Sequence, residues 1–126
     1  MKYTIIIILI ALLQYLYFIF KVGFNRVKYK VSAPKISGDD IWERMFRVQQ
    51  NTLEQLIIFI PAMIAFATYV SEKWVLIPGI VFLIGRALYS YLYISKPESR
   101  SPGFALSIFS NVALVIGSLI GIIINS

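Results

Sequence analysis

The sequence predicts an all-α integral membrane protein built as an antiparallel up-down four-helix bundle. Three observations lead there. Of the 126 residues, 59% are hydrophobic and 14% charged, with a mean hydropathy of +0.78. Soluble domains run at about 45–50% apolar and about 25% charged. Four segments approach the roughly 20 apolar residues that a bilayer crossing needs. Basic residues gather on what alternation of four spans makes a single side. The length holds one domain, residues 1–126.

The first span covers about residues 3–20, apolar except for Thr4 and Gln14. It follows Lys2 as a signal peptide would, but it is long for such a segment, and Lys21-Val22-Gly23 lacks a small-x-small cleavage site. It reads as a retained span. The second covers about 53–70 and carries Glu54 and Gln55 at its entrance and Pro61 inside. Its helix is expected to begin earlier, near residue 41, because Ser37-Gly38-Asp39-Asp40 supplies N-cap candidates. Asp40 as cap with Glu43 three residues on approximates a capping box. A helix over 41–70 measures roughly 45 Å at 1.5 Å per residue, beyond the roughly 30 Å hydrocarbon core, so its first turns project from the membrane. The third span, about 74–94, has one charge, Arg86, and the fourth, about 104–124, has none. In the fourth, Ala113, Gly117 and Gly121 stand four apart, a spacing that permits close helix approach either within a subunit or between subunits.

Orientation follows from Lys and Arg. Lys21, Arg26, Lys28, Lys30, Lys35, Arg44 and Arg47 belong to the first connection and the second helix's entrance, and Arg86, Lys96 and Arg100 lie toward the third. Only Lys2 and Lys73 lie opposite. The positive-inside rule then places both connections in the cytoplasm and both termini on the non-cytoplasmic side. Net charge of +6 is therefore topological and not a sign of nucleic-acid binding.

Cysteine and histidine are both absent. Their absence removes disulfides, thiolate and imidazole metal sites, and every histidine-dependent triad, so no metal is expected. Any thiol chemistry must use a substrate's sulfur.

The chemistry lies in two polar clusters. Arg47, Asn51 and Glu54 stand at i, i+4 and i+7, which a helix aligns on one face together with the neighbouring Gln50. Charged groups at membrane depth are costly, face protein or water, and mark functional sites by default. The alternative is that Arg47 and Glu54 only neutralise partners within the bundle. Arg86, Tyr89 and Tyr93 stand at i, i+3 and i+7 on the third helix, with Arg100 seven residues further on. The tyrosines alone are also consistent with an interfacial aromatic belt. The expected partner of Arg86 is Glu54. Together the clusters suit a small zwitterionic polycarboxylate, since guanidinium forks grip carboxylates and a carboxylate grips an ammonium.

Glu43-Arg-x-x-Arg47-x-Gln49-x-Asn51-x-x-Glu54, followed by Arg86-x-x-Tyr89-x-x-x-Tyr93-x₆-Arg100, resembles the membrane-associated proteins in eicosanoid and glutathione metabolism, the MAPEG family, and its microsomal glutathione transferases in particular. Arg26 with Val31-Ser32-x-Pro34 resembles that family's first connection. The resemblance implies a homotrimer in an endoplasmic reticulum or bacterial inner membrane. Glutathione would lie between subunits near the cytosolic face, and a lipophilic electrophile or lipid hydroperoxide would arrive from membrane lipid. It implies glutathione contacts from Arg47, Asn51, Glu54, Tyr89 and Tyr93, with Arg26 and Gln49 on the tripeptide's outer carboxylates or backbone. It implies catalytic roles for Arg100 and Tyr93 at the sulfur. The synthase branch carries Tyr directly after the Glu; here Gln55 stands, so an eicosanoid-specific pocket is not implied.

The expected activity is thus a glutathione transferase of the detoxification type, with peroxidase activity as a further output. The competing reading is a non-enzymatic lipid-binding or scaffold member of the same fold. The co-occurrence of Arg47, Asn51, Glu54, Tyr93 and Arg100 weighs against it, because a lipid binder needs no carboxylate-gripping arginines. A small ion-coupled carrier using Glu54 and Arg86 as a relay is disfavoured by the lack of repeats and broken helices.

Overall fold

The computed structural model describes residues 1–125 and consists of four long α-helices: α1 (Lys2–Lys28), α2 (Asp40–Tyr69), α3 (Leu76–Ser95) and α4 (Ser101–Asn125), with a short 3₁₀ turn, Pro97–Ser99, before the last. All four are long and apolar enough to cross a membrane. They alternate in direction, so the α1–α2 and α3–α4 connections share one end, called here the connection end. At the other end the N-terminal ammonium meets Glu72 of the α2–α3 connection at 2.8 Å, and Asn125 donates to the Tyr69 carbonyl at 3.2 Å.

Each helix buries one stripe. On α1 this is Thr4, Ile7, Ile8, Ala11, Phe18 and Val22, the three-to-four spacing of an amphipathic face. The remaining apolar side chains, such as Leu13, Ile57 and Phe109, are largely exposed, as lipid-facing surfaces require. The central core packs Ile7, Ile8 and Ala11 of α1 against Leu56, Phe59 and Met63 of α2, Phe82 of α3 and Leu114 of α4. Phe59 and Phe82 stack with centroids 3.9 Å apart. Toward the connection end the core changes to Phe18, Val48, Tyr89 and Tyr93, and then to Val22, Val31, Trp42 and Met45.

Two local expectations are refined. The N-cap of α2 is Asp39, not Asp40: its carboxylate accepts the Trp42 amide at 2.9 Å, while Glu43 takes the Gly38 amide at 3.2 Å. The reciprocal pair is thus displaced by one residue, which lets Trp42 lie fully buried with its indole N–H on the Val22 carbonyl at 3.0 Å. Two of the three residues of the small-residue stripe of α4, Gly117 and Gly121, are packed from within the chain, while Ala113 is exposed. A Cβ on Gly117 would stand 2.7 Å from the Phe66 ring, and one on Gly121 2.7 Å from the Val70 side chain.

The closest helix approach lies elsewhere. A Cβ on Gly103 would collide with the backbone of Tyr89, and one on Gly85 would stand 2.9 Å from the Leu106 Cβ and 3.0 Å from the Ser107 amide. These two glycines let α4 lie directly on α3, which carries the buried arginine described next.

Candidate functional site

At the connection end, the first turns of α2 and the end of α3 enclose a polar cavity of about 340 Å³, lined by Asp40, Glu43, Arg44, Arg47, Tyr93, Pro97 and Arg100. Arg47 Nη1 stands 3.5 Å from the Tyr93 hydroxyl, the outer limit of a hydrogen bond, and its Nη2 lies 3.8 Å from Glu43. The Arg100 guanidinium lies 5.6 Å from the centre of the Tyr93 ring, within cation–π range. Its Nη1 donates to the Pro97 carbonyl at 3.1 Å, folding the side chain back toward its own connection. Two permanent cations therefore converge on one phenol across the cavity. Arg44, which the sequence showed only as a topological charge, closes the α3 end: Nη1 donates to the Ile94 carbonyl at 2.7 Å, satisfying one of the acceptors that a helix leaves open at its C-terminus.

Deeper in the bundle, Arg86 is fully buried. The expected pairing with Glu54 does not occur. Arg86 Nε donates to Ser107 Oγ at 2.9 Å, and Nη1 donates to Asn51 Oδ1 at 2.7 Å and Thr52 Oγ1 at 3.2 Å. Its guanidinium also lies 4.6 Å from the Tyr89 ring centre. The reason is angular. Residues on a helix turn by 100° each, so an arginine seated between Asn51 and Thr52 faces well away from Glu54, which is exposed.

The remaining predicted residues divide. Tyr89 is buried between Arg86 and Tyr93, whose ring centre is 5.3 Å away. Asn51 is half-buried and held by Arg86. Gln49 is half-buried and lies two residues, about 200°, around α2 from Arg47. Arg26 stands apart from the cavity. It stacks on Trp42 at 4.6 Å and donates to the carbonyls of Lys35 at 2.7 Å and Val31 at 3.4 Å. Its guanidinium fastens the first connection and borders a separate hollow of about 530 Å³.

Sequence reading missed the polar residues of α4. Asn111 donates to the Gln55 side chain at 2.7 Å and to its carbonyl at 3.3 Å, both residues being buried. Gln55 is therefore turned into the bundle and not toward a lipid-facing pocket. The signal was present: Ser107 and Asn111 stand four apart in an otherwise apolar span, and polar side chains in membrane helices hydrogen-bond across helices.

Four membrane-spanning helices with a polar arginine–tyrosine cavity at one end define a polytopic membrane protein. The family model for the MAPEG family matches residues 4–120, and the chain belongs to that family. It is 42% identical over 114 residues to an uncharacterized protein of Synechocystis, covering 90% of this chain and 83% of the relative. It is 36% identical over 109 residues to human microsomal glutathione S-transferase 2, covering 86% and 74%. It is 36% identical over 108 residues to a probable microsomal glutathione S-transferase of Dictyostelium discoideum, covering 82% and 72%.

Proposed function

We propose that this chain is a membrane glutathione transferase that holds glutathione at the connection end, ionises its thiol, and delivers the thiolate to lipophilic electrophiles dissolved in the bilayer. The convergence of Arg47 and Arg100 on Tyr93 at the polar cavity carries this reading. A free thiol of pKa about 8.5 is only about 3% thiolate at pH 7. An opposite charge nearby lowers a pKa by about 1–3 units, and a lowering of about 2 makes roughly three-quarters of it thiolate. Arg100, permanently charged, supplies that field at the cavity mouth, and the Tyr93 hydroxyl donates to the same sulfur. Attack then forms a carbon–sulfur bond as the electrophile's leaving group departs with the bonding pair. With a lipid hydroperoxide the thiolate sulfur takes the terminal oxygen as the O–O bond breaks, and the lipid alkoxide leaves and is protonated to the alcohol. A second glutathione then reduces the sulfenic acid to disulfide and water.

The site is proposed to be completed by a neighbouring subunit in a homotrimer. Glu54 is exposed on the middle of α2, at a depth where a charge needs protein or water around it and not lipid. A second chain against the Arg47–Asn51–Glu54 face supplies that cover. The excess of Lys and Arg at the connection end supports a cytoplasmic site with both termini on the other side.

The deciding measurement is conjugation of glutathione to 1-chloro-2,4-dinitrobenzene by the purified protein, with thiolate absorbance followed on mixing. Saturable chloride release and a thiolate band at neutral pH are expected. No glutathione binding at millimolar concentration removes this reading.

A further inference from the structure

We infer that Arg86 is a positioning residue that makes Asn51 a pure hydrogen-bond donor toward the ligand, an inference that rests on the glutathione reading. Amide oxygen and nitrogen are ordinarily interchangeable by geometry alone. Here chemistry decides between them. A guanidinium has only donors, so the atom of Asn51 lying 2.7 Å from Arg86 Nη1 must be the oxygen. The amide nitrogen, with two N–H groups, is left over, and no acceptor among the described residues takes it. Asn51 is half-buried and shares its helix face with Arg47 and Glu54, both exposed.

Arg86 has little freedom to release this grip. Its Nε is held by Ser107, whose own hydroxyl hydrogen is committed to the Gly103 carbonyl at 2.9 Å. Nη1 is shared with Thr52, and the Tyr89 ring lies against the guanidinium. Gly85 and Gly103 bring α4 close enough for Ser107 to reach it. The face of α2 therefore presents, in order, a cation, a neutral donor and a carboxylate. In this arrangement Asn51 receives a carboxylate or carbonyl oxygen of the tripeptide, and Arg86 acts on the ligand only through it.

Asn51→Asp separates this role from a structural one. Aspartate still offers Arg86 an oxygen, now charged, but presents oxygen where the N–H groups stood. The expected result is unchanged or raised thermal stability in detergent, with the glutathione Kd raised at least about tenfold, as the loss of a charge-assisted hydrogen bond implies. The KM for glutathione should rise while kcat at saturation changes little. Wild-type binding combined with an unchanged Kd in Asn51→Asp overturns the inference and leaves the glutathione reading standing. No binding by the wild-type protein overturns both. Arg86→Gln lets the Asn51 amide turn over, and in folded protein it should raise KM more than it lowers kcat; an unchanged KM there also overturns the inference. Should Arg86→Gln fail to fold, Asn51→Asp decides alone.

Discussion

Arg47 on the second turn of α2 and Tyr93 near the end of α3 meet across the connection-end cavity, guanidinium nitrogen 3.5 Å from phenol oxygen. Neither is held tightly by the other. Arg47 keeps 64% of its side chain exposed, and its second nitrogen is 3.8 Å from Glu43, a partly exposed pair of small energetic worth. The arginine is thus available to a ligand, while Tyr93 is fixed by burial against Phe18 and Val48.

Arg47→Ala should therefore weaken glutathione binding by about 1.5–3 kcal/mol, the usual worth of a hydrogen bond to a charged group, with little change in stability. Equilibrium dialysis beside thermal unfolding checks both halves. Unchanged affinity would make the residue a topological charge only.

The glycines give a contrast free of any functional assumption. A Cβ on Gly103 would strike Tyr89 backbone, stand 2.6 Å from its Cα and 2.9 Å from the Gly85 carbonyl. Backbone cannot yield as a flexible side chain does, so Gly103→Ala should cost about 1–3 kcal/mol or more and loosen Ser107 from Arg86. Gly23, inside α1 with nothing within 4 Å of its would-be Cβ, should gain about 0.5–1 kcal/mol on replacement by Ala. Unfolding of the two variants in the same detergent should move in opposite directions.

Fold and site were legible to different depths in the sequence. Helix count and direction follow from apolar run length and from the placement of Lys and Arg, both properties of composition along the chain. That Arg47 and Tyr93 share one end was readable, because helical spacing aligns residues within one helix and the antiparallel turn brings the start of α2 beside the end of α3. The place of Arg100 beside them was implied by the family resemblance. Pairing between helices was not readable. Charge complementarity nominated Glu54 for Arg86, but the rotation of α2 about its axis gives Arg86 to Asn51 and Thr52 instead, and that rotation is set by the packing of Val48, Leu56 and Phe59. The setting of Arg26 was hidden for a related reason: its neighbours Lys35 and Val31 belong to a loop whose path no periodicity encodes.

An oligomer is the next expectation. Arg47, Gln50 and Glu54 form an exposed polar face on a helix apolar enough to cross a membrane, and lipid is a poor neighbour for it. Native mass measurement in mild detergent should give three copies of the 14.4 kDa chain. Glu54→Gln should weaken glutathione binding without releasing Arg86, because Arg86 does not depend on that carboxylate. A monomer at working concentration would contradict a site shared between subunits.

Arg100 should govern thiol ionisation more than glutathione affinity. It follows the Pro97–Ser99 turn at the mouth of the cavity, and its guanidinium faces the Tyr93 ring while one nitrogen is tethered to the Pro97 carbonyl. From there it meets the sulfur, whereas Arg47 and Asn51 lie along α2 where the rest of the tripeptide would be held. The sign is fixed by charge: a cation favours thiolate over thiol and so lowers the thiol pKa. Its removal should raise that pKa toward the free value of about 8.5. Arg100→Ala should then turn over slowly at neutral pH, with its rate–pH profile displaced upward by about 1–2 units and activity partly recovered near pH 9 as the thiol ionises unaided. Glutathione affinity, measured at a pH where the thiol is protonated in both proteins, should change less than turnover does. If Arg100→Ala leaves the profile in place and Tyr93→Phe shifts it instead, the phenol is the thiolate stabiliser and Arg100 serves the cavity only by its contact with the Tyr93 ring.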